Sequence, residues 1–301
     1  MFHIMLVILL LFLVARVALF GVQRYHDAHA SGSAFSRMQG QGKIDDDVFE
    51  DARWDEVRRF GKTKLRPTIS GEKRRAIRAA KNRERAEFLA RVRPGFYQYV
   101  IIFLIASVLG LLLEMTWMFL LFGILESRVG LVWGPFSPLY GFGAVLLTMV
   151  LWRLRDRPVP VIFLISALIG GVLEQATGWG MEVFMNAESW SYLHLPDHIT
   201  QWVAWRFLAM WGVIGVLWCK AIMPELIYRI GEPTSSRQRV LVAALAIFIA
   251  VDFALTLACF YRAGKRVEGM APQNAFEEYV DRHYDDDFMS STFENLSFGS
   301  S

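Results

Sequence analysis

Three carboxylates and one guanidinium fall inside stretches of this sequence that are otherwise apolar: Glu114, Glu174, Asp252 and Arg206. A charge at the centre of a bilayer costs about 2.5–3.5 kcal/mol on insertion scales, so such a group turns to a protein interior or a wet cavity, or finds a partner. Glu114 follows Gly110 by four residues and Glu174 follows Gly170 by four, which sets each acid about one helical turn beyond a glycine on the same face. Two carboxylates held in one such interior suit a cation or proton site, or a polar gate. The same residues also suit structural hydrogen bonds to Ser107, Thr116, Thr177 or Arg206, and an Arg206–glutamate pair would offset its own burial cost and only fix helix packing. Asp252, with Thr256 one turn later, is open to the same two readings.

The two glutamates sit in matching surroundings. Ile102-Phe103-Leu104-Ile105 returns as Ile162-Phe163-Leu164-Ile165, and Gly110 with Leu113-Glu114 returns as Gly170 with Leu173-Glu174, so seven of thirteen positions agree at an offset of sixty. Apolar composition inflates agreement among Leu and Ile, but a shared glycine and a shared acid at one spacing point to duplication. Both copies run in the same direction across the membrane, which predicts a parallel repeat about an axis along the membrane normal.

The elements that carry these residues are helices for a lipid solvent. Of 301 residues, 54% are hydrophobic, and the mean hydropathy of +0.32 exceeds that of ordinary soluble domains. The apolar residues gather into six blocks, at 1–22, 96–121, 131–152, 159–184, 202–222 and 240–261. Each has about the twenty residues needed to cross some 30 Å of hydrocarbon. The expected fold class is therefore all-α, a polytopic membrane helical bundle of about six transmembrane helices with an internal parallel repeat. Block 1–22 lacks a basic start and is too long for a secretory leader, so it reads as a transmembrane anchor.

Basic residues near the helix ends orient the bundle. Arg78, Lys81, Arg83, Arg85, Arg91 and Arg93 precede the second block, Arg153, Arg155 and Arg157 follow the third, and Arg229, Arg237 and Arg239 lie between the last two. The loop 186–201 contains no Lys or Arg. These loops alternate as crossings require, with the Arg-rich ones cytoplasmic. Arg262, Lys265 and Arg266 sit on the side that should be external, which leaves the side of the acidic tail open.

Gly134, Pro135, Pro138 and Tyr140, within the run Gly134 to Gly143, interrupt the third block, because two prolines remove donors that a continuous helix would use. Irregular backbone at membrane depth borders a cavity or is buried in protein, so this run is a candidate for the substrate path, or else an external turn. Trp179 joins Trp133, Trp190, Tyr192, Trp202 and Trp205 near outer helix ends, where aromatic residues anchor in the interface. Cys219 and Cys259 fall near opposite ends of their helices, too far apart for a disulfide, and read as core residues.

Four regions are expected: the anchor 1–22, a cytoplasmic basic and linker segment 23–95, a permease-like core 96–261 and the acidic tail 262–301. Within the second, residues 72–93 carry nine Lys or Arg against three Glu. A basic helix there either contacts anionic lipid or stays solvated as a topology determinant. It lacks the interleaved aromatics and motifs of nucleic-acid binders, and no nucleic acid is expected as partner.

Taken in order, Gly110 to Glu114, Gly134-Pro135 to Gly143, and Leu173-Glu174 to Trp179 with Glu182 and Trp190-Ser191-Tyr192 resemble the CmpB-like family of type IV ABC-transporter permeases. The resemblance covers about Phe96 to Glu225, and Asp252 in the last helix fits it too. Leu111 and Ser137 depart from the Trp and Cys common in that family. What the resemblance implies is a multi-span permease in the cell membrane. This chain has no G-x-x-x-x-G-K-[ST] loop, so ATP-driven work would need a separate ATPase subunit. No cofactor, catalytic residue or metal ligand is expected: Pro196 argues against a helical pair of His194 and His198, and no Ser elbow or redox cysteine pair occurs. A non-transporting scaffold or assembly factor is the alternative function, and an intramembrane enzyme a weaker one.

Overall fold

Long apolar runs become helices in hydrocarbon because a helix pairs its own backbone N–H and C=O groups. The computed structural model describes residues 71–294, apart from Asn186 and Ser189, together with Gly42, Asp46, Asp47, Glu50 and the pair Ser297–Phe298. The expected anchor at 1–22 and nearly all of the linker before residue 71 lie outside the described residues. The helices are α1 (Gly71–Arg91), α2 (Phe96–Phe122), α3 (Pro138–Leu154), α4 (Val159–Met185), α5 (Trp205–Ile230), α6 (Ser236–Val267), α7 (Ala275–His283) and α8 (Asp286–Thr292). A two-residue antiparallel ladder pairs β1 (Ala187–Glu188) with β2 (Ser297–Phe298).

Among the described residues, four helices have the length and apolarity to cross a membrane: Phe96–Leu120, Val159–Val183, Trp205–Ile230 and Ser236–Val267. The chain is thus a multi-pass membrane protein by its helices. The block expected at 131–152 is helical only from Pro138, and α3 has 17 residues. At 1.5 Å per residue it reaches about 25 Å, near the lower limit for a span. Its first residue is a proline, whose missing N–H costs nothing at that position. Within α5, residues Trp218–Ile222 form a π turn just ahead of Pro224. Proline cannot donate to the carbonyl four residues back, and the widened turn accommodates the loss.

The chain divides into two units, 1–93 with 227–229, and 94–226 with 230–301. In the first, Phe88 and Val92 are buried, Phe88 meets Tyr228 edge-on at 5.7 Å, and the Tyr228 hydroxyl donates to Glu84. In the second, the most extensive helix packing joins α2 to α3 and α4 to α5, with α6 against α2 and α4. Lys220 Nζ donates to the carbonyls of Arg155 and Arg157 at 2.6 and 3.0 Å, tying down the turn between α3 and α4. Cys219 and Cys259 are free thiols buried in the core.

The acidic tail folds back onto the end of the bundle that the charge pattern puts outside. Arg262, only 2% exposed, meets Asp281 at 2.6 Å and Glu277 at 3.2 Å, and Arg266 meets Asp281 at 2.6 Å and Asp286 at 2.7 Å. Apolar packing of Phe260, Ala263, Val280, Met289 and Phe293 lies beneath these pairs. Ser127 in the α2–α3 connection donates its hydroxyl to the Thr292 carbonyl at 2.8 Å, and β2 reaches the α4–α5 connection. The basic residues that broke the charge rule are therefore neutralised by the tail's own carboxylates, and the tail shares an end with residues 123–137 and 187–188. The guanidiniums beside Asp281 hold its carboxyl below the usual carboxylate range, mainly through the hydrogen bond from Arg262.

Candidate functional site

Gly110 and Gly170 each receive an aromatic ring from the next helix. A Cβ on Gly110 would collide with the Tyr140 ring at the start of α3, and a Cβ on Gly170 would collide with the Trp211 ring in α5. One residue on, Gly141 lies against Phe103 and Gly212 against Phe163. The contacts of α2 with α3 thus follow the same scheme as those of α4 with α5, using Phe103 and Phe163, Gly110 and Gly170, Tyr140 and Trp211, Gly141 and Gly212.

The scheme extends to the acids. Seated over its glycine, each ring turns its polar atom toward the carboxylate one turn on. The Tyr140 side chain lies beside Glu114 and interacts with it electrostatically, and the Trp211 indole N–H donates to Glu174 Oε1 at 3.0 Å. Both carboxylates also act electrostatically on Tyr192, in the α4–α5 connection; burial first, then Glu174 and Glu114, push its phenol up from its ordinary value. Tyr192 is held by its own N–H to the Gln201 carbonyl at 2.7 Å and by stacking on Phe207 at 4.4 Å. Glu114, Glu174, Tyr140 and Tyr192 therefore share one neighbourhood.

Their charges are balanced differently. Arg128, from the α2–α3 connection, lies 3.0 Å from Glu114 and 3.4 Å from Glu126. Glu174 is 5% exposed, takes the single bond from Trp211, and its Oε2 has no hydrogen-bond partner among the described residues. Two of the partners that the sequence offered are used elsewhere, since Thr116 bonds the Leu112 carbonyl and Arg206 pairs with Asp197, while the buried Ser107 hydroxyl has no hydrogen-bond partner among the described residues.

Arg206 lies in the first turn of α5, not deep within it. It reaches Asp197 through its side chain at 2.5 and 3.0 Å and through its backbone N–H at 3.1 Å. Those hydrogen bonds hold the Asp197 carboxyl below its ordinary value. Asp252 is fully buried in α6, where its Oδ1 accepts the Trp133 backbone N–H at 2.9 Å while Thr256 accepts that of Val132 at 3.0 Å. These two residues fasten the irregular lead-in to α3. Gly134 and Pro135 lie on the exposed side of that lead-in, with Gly134 at φ +107, a conformation that side chains rarely adopt. Pro138 opens α3 against Gly130. Trp179 is set apart, lining an open apolar groove of about 640 Å³ with Leu168, Val172, Val203 and Leu208.

Of the residues singled out by sequence, the structure gathers Glu114, Glu174 and Tyr140, and it adds Arg128, Trp211 and Tyr192. The aromatic-glycine pairs Tyr140-Gly141 and Trp211-Gly212 were a usable signal for two of the partners. Arg128 carried none, since it lies in an irregular segment. No group of three or more His, Cys, Asp or Glu side chains with metal-binding geometry occurs among the described residues. Neither a curated protein nor a solved structure matches the chain. The family described as "Putative ABC-transporter type IV" matches residues 101–257, more than half of the sequence, and the chain belongs to that family.

Proposed function

We propose that this chain is the permease component of a transporter in the cell membrane, with six spans: the anchor 1–22 and five helices of the core 96–261. In this reading α2–α3 and α4–α5 are two copies of one helix pair, and Glu114 and Glu174 line a polar path between them. The observation that carries it is the convergence of both acids on Tyr192, each acid beside an aromatic side chain seated on a glycine. Polar groups gathered inside an apolar bundle mark a pathway more often than a packing device, because they cost free energy to bury. The chain performs no catalysis itself. Energy comes from a separate ATPase subunit docked on the cytoplasmic loops, and residues 72–93 rest on anionic lipid.

One observation favours the scaffold alternative. The Glu114–Arg128 pair at 3.0 Å satisfies one acid without any substrate, as structural ion pairs do. The test is uptake and growth in cells that carry Glu114→Gln with Glu174→Gln in place of the wild type. The permease reading expects loss of the transport phenotype with membrane insertion unchanged; full function in the double variant would remove both acids from a path and leave the scaffold.

A further inference from the structure

The two matched acids differ in what neutralises them, and that difference assigns a role. Glu114 has a cation at 3.0 Å as well as the Tyr140 side chain beside it. Glu174 is 95% buried by its 5% exposure, has one neutral donor on Oε1, and leaves Oε2 without a partner among the described residues. No Lys, Arg or His among the described residues forms an ion pair with it. The groups facing it are the Trp211 indole from α5 and the Tyr192 phenol from the α4–α5 connection, with Glu114 acting on that same phenol. None brings a positive charge to Oε2. An ionised carboxylate so placed would be an uncompensated charge in a low-dielectric interior, which proteins avoid by neutralising the group.

We infer that Glu174 carries an exchangeable proton on Oε2, while Glu114 is paired with Arg128, so that duplication has yielded one proton-binding site and one ion pair. A proton needs a single oxygen, which is what Glu174 offers. A calcium or magnesium ion takes six or more oxygen ligands, and the described groups around Oε2 supply no such set. Binding moves one proton from solution to Oε2 and leaves a neutral acid whose Oε1 still accepts from Trp211; release restores the carboxylate. Asp252 has an unpartnered Oδ2 of its own, but its other oxygen is committed to the Trp133 N–H that shapes the lead-in to α3. It therefore serves as the control.

The use of this proton in transport rests on the permease reading, whereas its presence does not. Infrared spectra of the full-length protein in lipid nanodiscs at neutral pH, in H2O and D2O, read protonated carboxyl groups without any substrate. The wild type is expected to show a protonated-carboxyl stretch that Glu174→Gln removes, Glu114→Gln keeps, and Asp252→Asn leaves with its Glu174 component intact. Glu174→Asp, which preserves the acid, is expected to move the component and not abolish it. An unchanged spectrum in Glu174→Gln, or loss of the same component in Glu114→Gln, would overturn the inference while leaving the uptake test of the permease reading standing.

Discussion

Glu114 and Glu174 occupy corresponding places in two similarly packed helix pairs, yet Arg128 stands beside the first and, among the described residues, no cation pairs with the second. Local packing is alike in the two regions: a glycine admits a ring, and the ring lies beside the acid one turn on. What differs comes from the connections, since Arg128 belongs to the irregular segment between α2 and α3. The comparison teaches that helix sequence sets where an acid lies, while the loop above it decides whether that acid meets a cation.

The largest effect is expected where the acid has least support. Trp211→Phe deletes the one donor to Glu174 among the described residues and shrinks a ring packed on Gly170, which should cost about 3 kcal/mol from the lost bond and the cavity together. Thermal or denaturant unfolding in detergent measures it, and a cost under a third of that would mean that Glu174 has another source of support. Arg128→Leu leaves Glu114 without its cation. The side chains of the pair are 17% and 26% exposed, so the cost should fall to about 2 kcal/mol, below that of a fully buried pair. Adding Glu114→Gln should recover part of it, and strict additivity of the two changes would deny the pairing.

Tyr140→Phe removes one of two supports for Glu114 and should cost about 1 kcal/mol. A penalty equal to that of Trp211→Phe would erase the contrast between the two regions.

How much of this was legible beforehand depended on range. The blocks at 96–121, 159–184 and 240–261 appear as helices with ends shifted by a few residues, because apolar length alone specifies a span. The glycine-to-glutamate spacing was legible too, being local to one helix. The partner of each acid was not. Tyr140 and Trp211 stand seventy-one residues apart while their glutamates stand sixty apart, since the two connections differ in length, and a fixed offset misses them. Arg206 looked like a partner for the glutamates because it falls inside the apolar block 202–222, yet an α5 that begins at Trp205 puts it beside Asp197. The tail hid its own logic: Arg262 and Arg266 violate the charge rule until α7 and α8 bring their carboxylates back.

That tail sharpens the comparison from a third direction, as a carboxylate with two cations. Asp281 is held below its ordinary value of about 3.9. A depressed carboxyl adds stability above its unfolded value and loses it as pH falls through the folded one. Amide protection in α7 and α8, measured against the intrinsic exchange rate at each pH, should therefore hold at neutral pH and fall only below about pH 4. Release of the tail at higher pH would mean that the Arg262–Asp281 pair does not hold it.

The central claim is that both acids face one interior, and Tyr192 is the residue that reports on it. With Cys219 and Cys259 replaced by Ala, Tyr192→Cys can be combined with Glu114→Cys or with Glu174→Cys and treated in membrane vesicles with a short bifunctional thiol reagent. The account predicts that position 192 cross-links to both positions; linkage to one alone, or to neither, would place the two acids in separate regions and contradict it.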